Sequence, residues 1–246
     1  MDISNRTVLI VGGTSGIGLG LARRFAAAGS TVIIAGRDTS KVDDLETAQM
    51  DVTDPDSVLR ARDRILNAHP GLDVLVTMSG VMLMEDLRDP AHFSAAESTI
   101  AVNLLGTIRV VDAFTPHLIG LGGADIITVS SGIGFLPFPI MPTYGASKAG
   151  VHAYTEALRA QLTGTGVAVT ELVPPAVATA GQEKVNPAAL PLDRYLDEVT
   201  GLITQTPTPN EIVVQAALRL RWAERDGTYA SLLGARSQAL NTLPGR

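Results

Sequence analysis

Short runs of β-branched and aliphatic residues recur along the chain with helical segments between them. They are Thr7–Val11 (TVLIV), 31–35 (TVIIA), 73–77 (DVLVT), 126–129 (IITV) and Val167–Val173 (VAVTELV). Their apolar character is nearly continuous rather than alternating, so each strand must be covered on both faces. Between them, Ile17, Leu21, Phe25 and Ala28 recur at helical spacing and stop at Gly29. Asp54 before Pro55 reads as an N-cap with proline at the first helical position, opening a helix to Ala68. A weaker strand falls near 47–50, and helices are expected over 91–119 and 142–163. Buried strands alternating with helices predict an α/β fold: a single-domain, doubly wound parallel sheet of Rossmann type, flanked by helices on both faces.

At 246 residues and 46% hydrophobic, the chain can bury a sizeable core. No repeat or linker divides it, so residues 1–246 are expected to form one domain. Residues 178–209, with scattered Gly, Pro, Asn and charge, read as a helical excursion covering the substrate site. Thr208-Pro209 then opens a last helix to Glu224, and the tail from Gly227 serves packing or an interface.

Nineteen basic and 25 acidic residues give a net charge of −6 without a basic stripe, which argues against nucleic acid as a partner. The absence of cysteine excludes disulfides and thiolate metal sites and fits a reducing compartment. The polar residues 1–7 lead directly into a strand, unlike a secretory signal, and no apolar run approaches the ~20 residues that span a bilayer. A cytoplasmic protein with no membrane partner is expected. His69, His92, His117 and His152 lack metal-ligand spacing, so no metal site is expected, and His152 is placed to reach a subunit interface. Trp222 with Leu218 and Val214 reads as a core stripe, and residues 60–64 (RARDR) as a solvated helix face.

Two stretches carry chemistry. The first is Gly12-Gly13-Thr14-Ser15-Gly16-Ile17-Gly18, between the first strand and the first helix. Glycines allow a tight turn and close approach to a phosphate, and the helix N-terminus offers N–H groups and a favourable dipole. The spacing Gly-x3-Gly-x-Gly differs from G-x-G-x-x-G. At the end of the second strand, Gly36 brings no carboxylate to repel a 2′-phosphate, and Arg37 offers a charge-assisted donor. NADP(H) is favoured; the adjacent Asp38 keeps NAD open.

The second stretch runs from the strand at 126–129, through Ser130 and Ser131, to Tyr144 and Lys148 on a helix. Four residues advance about 6 Å and slightly more than one turn, so Tyr144 and Lys148 share a helical face. An ammonium beside a phenol favours the phenolate and is expected to lower its pKa from about 10 into a useful range. Ser131 would hold the oxygen of a carbonyl or alcohol while Tyr144 moves its proton.

Gly12/Gly16/Gly18, Ser131 and Tyr144-Gly-Ala-Ser-Lys148 in this order make the chain resemble the short-chain dehydrogenase/reductase family in its compact form, over residues 7–179. Residues 192–227 are also similar to a group of bacterial oxidoreductases within that family. The thirteen residues from Ser131 to Tyr144 match the family spacing and select Ser131 over Ser130. The resemblance implies that Asn103 completes an Asn-Ser-Tyr-Lys tetrad and holds a water in its proton relay. It implies that Asp51-Val52 flank the adenine, that Gly80 approaches the cofactor ribose, and that Lys148 contacts the nicotinamide ribose. Val177 and Thr179, in Pro174-Pro175-Ala-Val-Ala-Thr, would meet the nicotinamide amide and the phosphates, with Pro175 in place of the family's glycine. The family's Asn-Asn-Ala-Gly is replaced by Thr77-Met78-Ser79-Gly80, where Thr77 can supply part of an amide's hydrogen bonding and Met78 cannot.

These residues lead to the expectation of an NADP(H)-dependent oxidoreductase interconverting a ketone or aldehyde and an alcohol. The apolar residues in 81–84 and 133–141 suggest a lipophilic or aromatic small-molecule substrate. Helices 91–119 and 142–163 would form a homodimer or homotetramer. The alternative is a non-catalytic dinucleotide-binding or regulatory protein on the same fold.

Overall fold

The structure, a computed structural model, describes residues 1–179, 186 and 188–245. Seven parallel strands form one sheet. In chain order the elements are β1 (Thr7–Val11), α1 (Gly16–Ala27), β2 (Thr31–Gly36), β3 (Glu46–Gln49), α2 (Pro55–Ala68) and β4 (Val74–Thr77), then α3 (Phe93–Ile100), α4 (Gly106–Leu121), β5 (Ala124–Val129), α5 (Pro142–Gln161) and β6 (Val167–Val173). After a two-residue ladder of β7 (Val177–Ala178) with β8 (Leu190–Pro191) come α6 (Leu192–Ile203), β9 (Glu211–Val213), α7 (Gln215–Arg221) and α8 (Tyr229–Ser237). The strand order is β3-β2-β1-β4-β5-β6-β9.

Because successive strand residues point to opposite faces, the continuous apolar runs feed two cores. Val8, Ile10, Ile34 and Val76 pack under α1 and α6 with Leu21, Phe25, Tyr195 and Val199. Leu9, Val11, Ile33 and Leu75 pack under α2 and α4 with Val58, Ile65, Phe114 and Leu118. At the N-terminal end of the sheet Arg6 donates to Asp73 (2.6 Å) and to Asp125 (2.8 Å), joining the entries of β1, β4 and β5.

Three expectations need correction. The segment after Thr208 is not one long helix: Glu211–Val213 forms a seventh strand beside β6, and the helix is limited to Gln215–Arg221. The β-branched pair Ile212-Val213 satisfies an open sheet edge, and that non-local ladder outweighs local helical spacing. The excursion 178–209 includes α6, which lies against α1 with Tyr195, Leu196, Val199 and Ile203 buried, so this helix is part of the core; residues 180–185 and 187 lie outside the described residues. The long helix is broken in type. A 3-10 turn at Pro90–His92, capped by Asp89, leads into α3, and a π turn at Ala101–Leu105 separates α3 from α4. By length and composition Pro90–Leu121 could cross a bilayer, yet Val110, Val111, Phe114 and Leu118 are spent on the second core.

Candidate active site

Every strand of a parallel sheet releases its chain at the same edge, and the residues selected from the sequence collect there. Gly12, just after β1, has φ +90° and donates its N–H to Ala35 O at 2.7 Å. A Cβ on it would stand 2.4 Å from Ser79 N, so the backbone after β4 requires glycine at this crossing. A Cβ on Gly18 would lie 2.7 Å from Gly12 O. Ser15 caps α1 without a side-chain hydrogen bond, leaving the first helical N–H groups without that partner. Ile17, partly buried, packs against the first core and seats this turn. Thr14 Cγ2 lies 2.8 Å from where Gly36 would carry a Cβ, and Thr179 Cγ2 lies 3.1 Å from the corresponding position at Gly16. Bare backbone at a helix N-terminus, with threonine side chains at its rim, fits the pyrophosphate of a dinucleotide.

Beyond β2, exposed Arg37 lines a cavity of about 310 Å³ with Gln49, Asp51, Ser57, Arg60 and Arg64. Arg60 and Arg64, read from the sequence as a solvated face, thus stand with Arg37 around one polar hollow. Asp51 accepts from the Thr53 hydroxyl (2.7 Å) and N–H (2.9 Å), which hold its carboxyl below the usual range with help from Arg37 and Arg109. Val52 beside it is buried.

In the departure after β4, the buried Thr77 hydroxyl has no hydrogen-bond partner among the described residues. Met78 turns away into packing, its sulfur 3.1 Å from where Gly18 would carry a Cβ. Gly80 lies between two site residues: a methyl there would meet Asn103 Oδ1 at 3.5 Å and Lys148 Nζ at 3.9 Å.

Asn103 sits in the π turn, fully buried. Its Oδ1 accepts from Val81 N–H (2.8 Å), and its Nδ2 donates to Val81 O (2.9 Å) and to Ser147 Oγ (3.1 Å). Its backbone carbonyl accepts from Thr107 Oγ1 at 2.8 Å. The amide is therefore committed to the loop after β4 and, through Ser147, to the Tyr144 carbonyl, which Ser147 Oγ reaches at 2.7 Å. Ser131, extended at φ −171°, caps the 3-10 turn Gly132–Gly134: its Oγ accepts from Ile133 N–H (3.3 Å) and donates to Pro174 O (3.4 Å), and it stands near enough to Tyr144 to favour the phenolate. Lys148 Nζ donates to Val129 O at 2.9 Å and lies 5.8 Å from the Tyr144 ring centroid. Ser131, Tyr144, Lys148 and Asn103 are thus brought together from β5, α5 and the π turn.

The expected lowering of the phenol pKa is not found. Burial raises the Tyr144 pKa above its ordinary value and the nearby Ser131 hydroxyl only partly offsets this. Burial also pulls the Lys148 ammonium down to about 8.

A family model described as short chain dehydrogenase matches residues 6–189. The chain belongs to the short-chain dehydrogenase family. It is 35% identical over 192 residues to the uncharacterized oxidoreductase DltE of Bacillus subtilis, covering 75% of this chain and 76% of that protein. It is 36% identical over 178 residues to sulfoacetaldehyde reductase 2 of Chromohalobacter salexigens, covering 68% and 71% respectively. Its fold matches that of a short chain dehydrogenase from Burkholderia cenocepacia in complex with NADP, with TM-score 0.83 and 24% identity over 95% of this chain and 99% of the other.

Like its relatives, this short-chain dehydrogenase is an oxidoreductase on a Rossmann-type sheet. Parts of its site were not legible beforehand. Ser147 lies one helical turn past Tyr144 on the buried face, a position that could have drawn attention. The tail from Gly227, expected from weak signals to serve packing or an interface, does pack, and at the site itself: Ala239, Leu240 and Leu243 join Met82, Phe138, Ile140, Met141 and Tyr144 in one apolar cluster. Arg88 Nη2 donates to Pro244 O at 3.0 Å and ties the loop after β4 to that segment.

Two other expectations change. Trp222 is half-buried between Arg221 and Arg225, whose guanidinium carbons lie 4.1 and 4.5 Å from its ring, rather than in the core. His152, Glu171 and Glu211, remote in sequence, bring ligand-type atoms within 4.8 Å of one another. Both Glu211 oxygens accept from Arg221 (2.6 and 2.8 Å), and His152 Nδ1 lies 2.7 Å from Glu171 Oε2, so Glu211 is held by Arg221 and His152 by Glu171.

The buried Lys148 ammonium gives a pH signature. Between about 8 and the ordinary 10.5 the unfolded chain keeps a proton that the folded chain has released, so this group makes stability rise with pH across that window. Below it, burial of the charge costs about 3 kcal/mol. Lys148→Met should therefore be more stable than the parent near neutral pH by up to about 3 kcal/mol in urea denaturation. The advantage should vanish towards pH 10.5. An advantage independent of pH would contradict this account.

Proposed function

We propose that this short-chain dehydrogenase uses NADP(H), in preference to NAD(H), to interconvert a ketone or aldehyde with the corresponding alcohol on a lipophilic small molecule. The observation that carries the reading is that Tyr144 stands on one helical face with the buried Lys148 ammonium, 5.8 Å from the ring centroid, at the strand end that carries Ser131. A substrate oxygen held between the Ser131 and Tyr144 hydroxyls accepts hydrogen bonds from both. In reduction Tyr144 gives that oxygen its proton; in oxidation it takes the proton back. Lys148 keeps positive charge within 5.8 Å of the ring and favours the phenolate that forms when the proton leaves. Asn103 holds the loop at Val81 and, in this reading, assists return of the proton to solvent. When bound, the nicotinamide supplies or accepts the hydride.

The turn with Gly12, Thr14, Ser15, Gly16, Ile17 and Gly18 would hold the pyrophosphate. Asp51 and Val52 would flank the adenine, and Gly80 and Lys148 the nicotinamide ribose. Val177 and Thr179 would meet the nicotinamide amide and the phosphates. Preference for NADP(H) is supported by Arg37, with Arg60 and Arg64 across the same hollow, and by the NADP complex of the Burkholderia cenocepacia neighbour.

The apolar cluster around Tyr144 supports a lipophilic substrate. Sulfoacetaldehyde, named for two Chromohalobacter salexigens relatives, is small and anionic, unlike the lipophilic molecule that this apolar cluster suits. The proposal includes a homodimer or homotetramer, supported by Leu105, Ile119 and Leu121 exposed along and beside α4, and a cytoplasmic setting, which suits a chain without cysteine.

Four measurements test this reading. NADPH consumption should be found across aromatic and aliphatic ketones, faster than with sulfoacetaldehyde. Tyr144→Phe should lose at least about a thousandfold in turnover while NADPH binding, followed by its fluorescence, stays near the parent's. Near-parental turnover would refute the assignment. Arg37→Ala should raise the KM for NADPH by roughly tenfold, the loss of one charge-assisted contact, and leave that for NADH unchanged; equal effects on both would remove Arg37 from 2′-phosphate recognition. Light scattering should give a multiple of the 25.7 kDa chain, and a monomer would overturn the oligomer.

A further inference from the structure

We infer that Glu85 is a positioning residue for Tyr144, acting as a remote cap on the helix that carries it. Glu85 lies in the loop after β4 and is only 3% exposed. A carboxylate at that depth requires donors, and Thr143 supplies two, with a His92 ring nitrogen beside them. Oε1 accepts from Thr143 N–H (3.1 Å), and Oε2 accepts from Thr143 Oγ1 (2.8 Å) and stands 3.1 Å from His92 Nδ1.

Thr143 is the second residue of α5 and immediately precedes Tyr144. Helix α5 has no cap of its own: Met141 at the N-cap contributes no side-chain hydrogen bond, Pro142 has no N–H, and its first turn holds no acidic residue. Glu85 therefore does from 58 residues away what Ser, Asp or Asn does locally, accepting from a free N–H and placing negative charge at the helix N-terminus. The clamp has a second point, because Glu85 N–H donates to Ile140 O at 3.0 Å. Both the turn into α5 and its first N–H are thus tied to one residue.

The other end of the same loop is fixed at Val81 by Asn103. The five residues from Val81 to Glu85 consequently bridge the π turn on the cofactor side and the start of α5 on the substrate side. His92, at the end of the 3-10 turn that leads into α3, ties this bridge back to the element that carries the π turn. Glu85 acts on Tyr144 only through the backbone of Thr143. Its predicted effect is on where the phenol points relative to Ser131, and the nucleotide turn at Gly12–Gly18 is not touched.

The inference rests on Tyr144 as the proton donor, so the experiment separates the two. Glu85→Ala, Glu85→Gln, Thr143→Val and Tyr144→Phe are compared with the parent by steady-state kinetics with the most reactive ketone, by NADPH fluorescence titration and by amide exchange. Displacing the reacting group without removing it should lower kcat in Glu85→Ala roughly ten- to a hundredfold with NADPH affinity retained. Amides 143–145 should exchange at least about tenfold faster, as expected when a helix cap is lost. Glu85→Gln, which keeps one acceptor for the Thr143 N–H, should recover most of kcat and of the protection.

Parental kcat in Glu85→Ala overturns the inference. So does a kcat loss accompanied by an equal loss of NADPH affinity and not rescued by Gln, since that marks general structural damage. Should Glu85→Ala not fold, Thr143→Val decides: a severalfold drop in kcat alone supports the clamp, and parental kcat overturns it. If Tyr144→Phe stays active while Glu85→Ala releases amides 143–145, the proton-transfer reading fails and the helix clamp stands.

Discussion

The buried ammonium of Lys148 is the interaction on which the rest of the site depends. A charge this deep is unfavourable unless it is held and used, and among the described residues its acceptor is the carbonyl of Val129, the last residue of β5. The bond fixes α5 against the end of that strand, and Tyr144, one turn earlier, and Ser131, two residues beyond Val129, take their places from it. Gly80 and Asn103 close the same small volume from the neighbouring strand and from the π turn. A π turn inserts an extra residue into the helix, and here it lies at the one buried asparagine whose amide pairs with the loop after β4. Its backbone irregularity and the charge it borders belong to one arrangement.

Much of this was readable in the sequence because it is local. Continuous β-branched runs specified parallel strands covered on both faces, the glycines at 12, 16 and 18 specified a strand-to-helix turn, and Tyr144 and Lys148 specified a shared helical face. What escaped was non-local. The edge strand Glu211–Val213 exists because β6 offers an unpaired ladder, and no periodicity inside EIVV reports that. Glu85 looks like any loop carboxylate until Thr143 arrives from across the sheet edge. The pKa of Tyr144 was misjudged for a similar reason. Spacing gives the nearby cation, but only packing gives the desolvation that outweighs it.

The two ends of the site differ in physical character. The nucleotide end is bare backbone, a helix N-terminus and arginines around a polar hollow, suited to phosphate charge. The other end is a phenol set in methionine, phenylalanine and leucine side chains, where low polarity strengthens the few hydrogen bonds present. The sheet edge supports both because each strand end leaves its own connection free to vary.

The apolar wall at Tyr144 includes residues 239–243, roughly a hundred positions further along the chain. On a ribosome the N-terminal portion emerges first. The crossing of Gly12 with Ser79, by contrast, joins residues from the first third of the chain. The cover of the phenol therefore depends on a stretch that has still to emerge when both sides of that crossing have left the ribosome.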